Sequence, residues 1–316
     1  MSDNQNNQKR SEKSDTPNSR NSGSLSFPSV PRLLCIVGPT ATGKTAHALK
    51  LASKQPSILV SADSRQVYRG MDIVTGKDHP RDVPIFGVDI VDPDQSCSVS
   101  VWYDAVMSHI TAAWGKGILP IVVGGTGLYV KALTNGIGTL HIPPNEHLRS
   151  ELAGYSVTEL QDKLHQVGPQ KLTSMNESDR ANSRRLTRAI EICDYRESHP
   201  ERALASRMGN SDSTIIGLRY YDDSNYRSTI KARVRARLAA GAAQETKRLL
   251  SQYGEHIQSL SAIGYRSLIA YVKGEASEAE MVDRWVADEL AYAKRQIVWF
   301  KKQPVEWQFV DKPGSI

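Results

Sequence analysis

Eight consecutive residues, Gly38-Pro39-Thr40-Ala41-Thr42-Gly43-Lys44-Thr45, limit what this chain can fold into more than any other feature. They follow the apolar run Leu33-Leu34-Cys35-Ile36-Val37 and lead into Ala48, Leu49 and Ala52, which are spaced for one face of a helix. A strand, a loop of the form G-x-x-x-x-G-K-[ST] and a helix together make a phosphate-binding loop. Glycine permits the tight turn that points successive N–H groups into one concavity. The helix N-terminus adds partial positive charge there. In this reading the loop 38–45 wraps two or more phosphates, Lys44 reaches the outer one, and Thr45 offers its hydroxyl to Mg2+. The expected fold class is α/β, a P-loop NTPase-like parallel sheet flanked by helices. The motif alone leaves open what carries the phosphates.

Further strand-like runs follow. Ser57-Ile58-Leu59-Val60-Ser61 runs directly into Ala62-Asp63-Ser64-Arg65-Gln66. In an open parallel sheet, ligands bind beyond the carboxyl ends of the strands, which brings Asp63 beside the phosphate loop. Its carboxylate suits a general base, a Mg2+ ligand or the N-cap of a following helix. Lys77 is a further candidate for phosphate contact. Val88-Asp89-Ile90-Val91 reads as another strand, and 98–114 as a helix through Val99, Trp102, Val106 and Ile110. Ile118-Leu119-Pro120-Ile121-Val122-Val123 ends on a second glycine turn, Gly124-Gly125-Thr126-Gly127. Its glycines permit close approach to a ligand, or serve a plain β-to-α turn.

The pattern changes over 137–210, where helical stretches around 145–166 and 178–196 replace strands. The second places Leu186, Ala189, Ile190 and Cys193 on one face and Arg184, Arg185 and Arg188 on the other. Those arginines read either as a solvated face partnered by Glu191 or as contacts to nucleic-acid phosphates. Ile215-Ile216-Gly217-Leu218 returns to the sheet. The expected organisation is a disordered tail at 1–31, a catalytic core from 32–136 and 211–316, and a helical insertion at 137–210. A long helix is expected over 225–252, with Ile230, Val234 and Leu238 as its stripe and Arg233 and Arg237 along one flank. A last helix over 278–301 interleaves Lys294, Arg295 and Gln296 with Tyr292, Trp299 and Phe300, and an edge strand over 305–310 closes the chain.

The formal net charge of the 316 residues is +6, which favours an anionic partner. Three scattered cysteines, Cys35, Cys97 and Cys193, argue against a zinc site or a disulfide frame and for a reducing, cytoplasmic setting. No apolar run is long enough for a membrane helix. Nothing in the sequence calls for an oligomer, so a monomer is expected.

Taken in order, GPTATGKT at 38–45, SADSRQVYRGMDI at 61–73, VGGTGLYVKAL at 123–133, RRLTRAIEI at 184–192, AIGYRSLIAY at 262–271 and YAKRQIVWF at 292–300 resemble the bacterial tRNA dimethylallyltransferase (tRNA isopentenyltransferase) family. The resemblance covers about 32–310. It implies that the phosphate loop holds the pyrophosphate of dimethylallyl diphosphate with Mg2+. The exocyclic amine of the tRNA adenosine just 3′ of the anticodon then attacks the allylic carbon. By this resemblance Asp63 is the base, and Thr40 and Arg233 lie at the reacting centre. Ser64, Arg65 and Gln66 match positions that touch the flipped-out adenosine or its neighbours. Thr126 and Arg149 match tRNA contacts, and the block Arg184, Arg185, Leu186, Thr187 and Arg188 matches the grip on the anticodon arm. The inserted helices would then form the tRNA-binding domain.

The chain departs from the pattern in places. Ala181-Asn182-Ser183 replaces an Asn-Asp-Pro, and Glu289-Leu290-Ala291 a Thr-Arg-Gln. Phe86-Gly87 stands where a His is usual, and Thr229 where an arginine is common. Three rivals share part of this signal. They are a prenyltransferase of free adenine nucleotides, a small-molecule kinase, and a tRNA-binding protein that has lost catalysis.

Overall fold

Alternation along the first apolar run decides how the sheet is covered. Ile36 shares one face with Leu59, Ile121, Val123 and Leu218 beneath Ala48. Cys35 and Val37 turn the other way, with Val60 and Val122, onto a larger core holding Trp102, Val106, Trp285 and Phe300. A strand buried on both faces belongs inside a parallel sheet.

The computed structural model describes residues 32–78, 80, 82–200, 212–220 and 223–310. The tail expected to be disordered lies outside them. Six strands, β1 (Arg32–Val37), β2 (Ser57–Ser61), β3 (Ile85–Phe86), β4 (Leu119–Gly124), β5 (Asp212–Tyr220) and β6 (Glu306–Val310), form one sheet. Their order is β3-β2-β4-β1-β5-β6, and every pair is parallel. All carboxyl ends therefore open on one edge, with β1 and its phosphate loop near the middle. The edge strand expected at 305–310 is β6.

Helix α1 (Lys44–Ala52) covers one face. On the other lie α2 (Val99–Gly115), α3 (Gly127–Thr134), α9 (Asp223–Ala239), α10 (Ala242–Tyr253), α11 (Tyr265–Val272) and α12 (Glu278–Phe300). Trp102 of α2 is fully buried and donates its indole N–H to the Ser61 carbonyl at 3.0 Å. It thereby pins the end of β2, where Asp63 begins its turn. Truncating such a ring to Ala costs roughly 3–5 kcal/mol.

Between α3 and β5 run α4 (Glu146–Leu152), α5 (Val157–Val167), α6 (Pro169–Ser174), α7 (Glu177–Arg180) and α8 (Ser183–Ser198). They bury a cluster of their own: Leu152, Leu160, Leu164, Met175, Leu186, Ala189 and Ile190. Ser156 and Glu159 form a capping box on α5. Asn182, one of the departures, caps α8 by accepting the Arg185 N–H at 3.2 Å.

Four element expectations need correction. The run Val88-Asp89-Ile90-Val91 is not a strand. The chain pairs with β2 earlier, at Ile85–Phe86, and Asp89 adopts φ 52°, which breaks an extended run. The single helix expected over 225–252 is two helices, because Gly241 sits at φ 105° and turns the chain between them. The helical stretches expected at 145–166 and 178–196 also divide, the first into α4 and α5 and the second into α7 and α8.

Candidate active site

The phosphate loop is shaped by backbone demands. Gly38 has φ 137°, and a Cβ there would lie 2.2 Å from the Leu218 carbonyl oxygen of β5. Ala41 and Gly43 also take positive φ. Thr42 Oγ1 and Lys44 Nζ both donate to the Pro39 carbonyl, at 2.9 and 2.7 Å. Tyr226 and Tyr220 donate their hydroxyls to the carbonyls of Thr40 and Ala41, at 3.0 and 2.9 Å. With those three carbonyls occupied, the loop offers its N–H groups to a ligand.

The loop floors a cleft of about 1120 Å³. Thr40, Ala41, Gly43, Lys44, Thr45, Asp63, Ser64, Arg65, Gln66 and Arg233 all line it; Gly38, Pro39 and Thr42 shape the loop from behind. Arg233 donates to Thr40 Oγ1 at 2.8 Å. Burial, reinforced by the Arg233 charge, lowers Lys44 to about 8 against the opposing pull of Asp63 and Glu289. This ammonium gives up its proton more easily than usual until an anion arrives.

Asp63 Oδ1 accepts the Arg65 N–H at 2.9 Å. No helix starts here, so the carboxylate caps a turn rather than a helix. Ser64 N–H donates to Thr126 Oγ1 at 3.0 Å, tying the Asp63 turn to the second glycine turn. Gln66 is braced at both ends of its amide: Oε1 accepts from Ser61 at 2.7 Å and Nε2 donates to the Gly76 carbonyl at 3.0 Å.

The close approach at the second glycine turn comes from the protein, not from a ligand alone. A Cβ on Gly124 would meet the Ala62 carbonyl oxygen at 2.2 Å, one on Gly125 the Gln296 amide at 1.8 Å, and one on Gly127 the Trp299 indole at 2.0 Å. Gln296 Nε2 donates to the Gly125 carbonyl at 3.1 Å. The last helix thus seals this turn. Trp285 and Phe300 are fully buried, whereas Trp299 is 40% exposed. Tyr292 reaches Thr126 and Gln296, and burial and then the Asp63 charge push its phenol up to about 12.

Lys77 is not a phosphate contact. Its side chain is fully buried and bound to Asp72, Asp89 and the Tyr68 carbonyl. The turn it braces is held from the other side by Glu245 of α10. That carboxylate accepts the N–H groups of Asp72, Ile73 and Val74 at 2.8, 2.8 and 3.1 Å and the Tyr265 hydroxyl at 2.7 Å. Sequence reasoning missed Glu245 and Tyr265, because no local spacing announces an acid paired with a turn 170 or more residues away. It also missed that Glu289, standing where a Thr is expected, pairs with Arg237 at 3.0 Å.

The block on α8 lies apart from the cleft. Arg184 and Arg185 are exposed, and Arg185 pairs with Asp179. Thr187 is half-buried. Leu186 is fully buried among the helices, so its side chain supports the segment instead of touching RNA. Glu191 is buried and gathers Arg149 at 2.7 Å, Arg188 at 3.1 Å and the Asn145 N–H at 2.9 Å. Burial alone would raise the Glu191 carboxyl. The Asn145 N–H and the two arginines outweigh it and hold the group below its usual range. Arg188 also donates to the carbonyls of Ile142 and Pro143, clamping the entry to these helices.

Thr45 lines the cleft from the first turn of α1. Among the described residues no three His, Cys, Asp or Glu group as a metal site. One hydroxyl beside a phosphate loop fits Mg2+, which takes few protein ligands and completes its shell with phosphate oxygens and water.

A parallel sheet whose edge carries a phosphate loop, with Asp63 beside that loop and several cations lining a single cleft, defines a P-loop protein suited to hold a phosphorylated ligand. The chain belongs to the IPP transferase family, whose model matches residues 66–303; an isopentenyl transferase model matches 31–86. It is 35% identical to a tRNA dimethylallyltransferase of Thermosynechococcus vestitus over 87% of this chain and 88% of that one. It is 37% identical to tRNA dimethylallyltransferase 1 of Geotalea daltonii over 85% and 86%. Among solved structures it is similar to a tRNA isopentenylpyrophosphate transferase from Bacillus halodurans, with TM-score 0.63, 33% identity and coverage of 88% and 90%. A eukaryotic dimethylallyltransferase acting on tRNA shares the fold, with TM-score 0.73 at 22% identity over 88% of this chain and 73% of that one.

Proposed function

We propose that this chain transfers the dimethylallyl group of dimethylallyl diphosphate to the exocyclic N6 amine of the adenosine 3′-adjacent to the anticodon in tRNA, releasing diphosphate. The observation that carries the reading is that Asp63 and the phosphate loop, with Lys44 and the Thr40–Arg233 pair, line one cleft. The amine nitrogen attacks the allylic carbon, the C–O bond to the diphosphate breaks, and its electron pair leaves on the diphosphate. Asp63 takes the proton released from nitrogen. Lys44, Arg233 and the loop amides meet the charge that grows on the leaving group. Mg2+, held through Thr45, would supply further charge neutralisation to the diphosphate.

An adenine amine inside a stacked loop cannot reach this cleft, so the nucleotide flips out. Ser64 and Arg65 lie where the base would enter. Thr126 and Gln66 brace the loops around it. The helices α4 to α8 act as an insertion that receives the anticodon arm, with Arg184, Arg185 and Thr187 offered to its backbone. Arg149 and Arg188 hold the insertion's geometry through Glu191 while leaving part of each guanidinium toward solvent.

The test is a transfer assay with Mg2+, labelled dimethylallyl diphosphate and either unmodified tRNA or free AMP. Label in tRNA alone is expected. Label in AMP moves the function to free-nucleotide prenylation, and label in neither removes the prenyltransferase reading.

A further inference from the structure

Two arginines one turn apart on α9 face the same cleft, yet only one of them touches the phosphate loop. Arg233 donates to Thr40 Oγ1 at 2.8 Å. Arg237 donates to Glu289 Oε1 at 3.0 Å and reaches toward the Thr75 carbonyl at 3.5 Å. Both guanidinium groups lie against Gly76. A Cβ there would come within 2.3 Å of Arg237 Nη2 and 2.9 Å of Arg233 Nη2. Like charges held this close repel, and a partly buried cleft screens them poorly. The Arg237 and Glu289 side chains are only 10% and 9% exposed. The Trp285 ring stands 6.0 Å from the Arg237 guanidinium carbon. Water therefore does little to neutralise Arg237; the carboxylate must.

We propose that Glu289 is a positioning residue: it neutralises Arg237 and keeps that guanidinium beside Thr75, so that of the two arginines only Arg233 presents its charge to the phosphate loop. The inference rests on the diphosphate site of the function proposed above. An unneutralised Arg237 would add a free guanidinium to a cleft that Lys44, Arg65 and Arg233 already line. It would strengthen the hold on diphosphate in the bound ground state and in the product without adding to the transition state, which slows turnover.

The experiment measures binding of inorganic pyrophosphate with Mg2+ by calorimetry for the parent, Glu289→Gln, and the double variants Glu289→Gln with Arg237→Met and Glu289→Gln with Arg237→Gln. Glu289→Gln is expected to bind pyrophosphate about tenfold more tightly, and in the transfer assay both kcat and KM for dimethylallyl diphosphate fall. A strut with no electrostatic role would not tighten anion binding. Each double variant is expected to return the affinity to within about threefold of the parent, since both members of the buried pair are gone. A folded Glu289→Gln with unchanged or weaker pyrophosphate affinity overturns the proposal. If that variant fails to fold around its unpaired guanidinium, the doubles decide. A loss of about tenfold or more in either makes Arg237 itself a diphosphate ligand and overturns the positioning role. The binding measurement involves no tRNA, so a parent that binds pyrophosphate but transfers no label to tRNA sinks the acceptor assignment and leaves this result standing.

Discussion

Replacing Glu245 by Ala should cost the fold about 4 kcal/mol, and replacing it by Gln about half of that. The numbers follow from the four donors on this carboxylate. Oε2 accepts the N–H groups of Asp72 and Ile73, and Oε1 accepts that of Val74 together with the Tyr265 hydroxyl. Alanine strands all four. At about 1 kcal/mol each, the floor for donors that water can partly reach after relaxation, the sum is about 4 kcal/mol. Glutamine keeps one carbonyl for Asp72 and Ile73. Its amide then faces a hydroxyl that can reverse to accept and an N–H that cannot, so about one bond is lost and one repulsion gained, roughly 2 kcal/mol. Urea unfolding at unchanged m-value reads the loss directly. Hydrogen exchange at 72–74 should quicken in parallel. A Glu245→Ala variant within about 1 kcal/mol of the parent, or a Gln variant as damaged as the Ala one, would refute the acceptor count.

Asp63→Ala should lower kcat by about 10²–10⁴-fold while pyrophosphate affinity stays close to the parent's; a near-normal rate removes Asp63 as the base. Charge reversal at Arg184 and Arg185 should raise the KM for tRNA and flatten its salt dependence by about one unit of slope for each RNA phosphate no longer neutralised, and an unaltered slope returns that face to solvent. Lys44 is protonated below about 8 and loses its charge above it. Affinity for dimethylallyl diphosphate should therefore weaken as pH rises through that value, and Lys44→Met should abolish the dependence along with most of the binding. Gly38→Ala should yield no pyrophosphate-binding protein, since the new methyl overlaps the Leu218 carbonyl and the backbone angle is left-handed; calorimetry on the purified variant checks this.

The phosphate loop was readable because its motif is local. Gly38, Gly43, Lys44 and Thr45 fall within eight residues, so spacing announces them even though Leu218, Tyr220 and Tyr226 finish the loop's shape. Asp63 was readable one step further out, because a parallel sheet puts every strand end on one edge. What failed did so where a distant partner decides. Val88, Ile90 and Val91 carry strand propensity, yet the Asp89 carboxylate serves Lys77 and its backbone turns to φ 52°. The apolar stripe of Ile230, Val234 and Leu238 gave no warning that Gly241 would swing the chain. Glu289 looked like a defect in a motif. Only the packing of α12 on α9 reveals its partner, Arg237. In the helical segment Glu191 was legible as a partner of the arginines, and it does pair with Arg188; its burial was not, because helices brought from elsewhere cover it.

Strand β5 has a consequence for how the protein is made. It pairs with β1 from Arg32↔Asp212 to Val37↔Gly217, and its next residue, Leu218, supplies the carbonyl that walls in Gly38. The phosphate loop leaves the ribosome well ahead of that wall, which is synthesised only after all the helices of the 146–198 segment. A chain halted before β5 has the loop's sequence and not its shape. So large a separation between partners delays assembly of the sheet centre until late in synthesis. The cluster around Leu164 and Leu186 is complete before that moment, free to form while the loop still waits for its neighbour. A finished phosphate loop therefore marks a chain synthesised through β5, and a shorter nascent fragment lacks the wall on which the cleft is built.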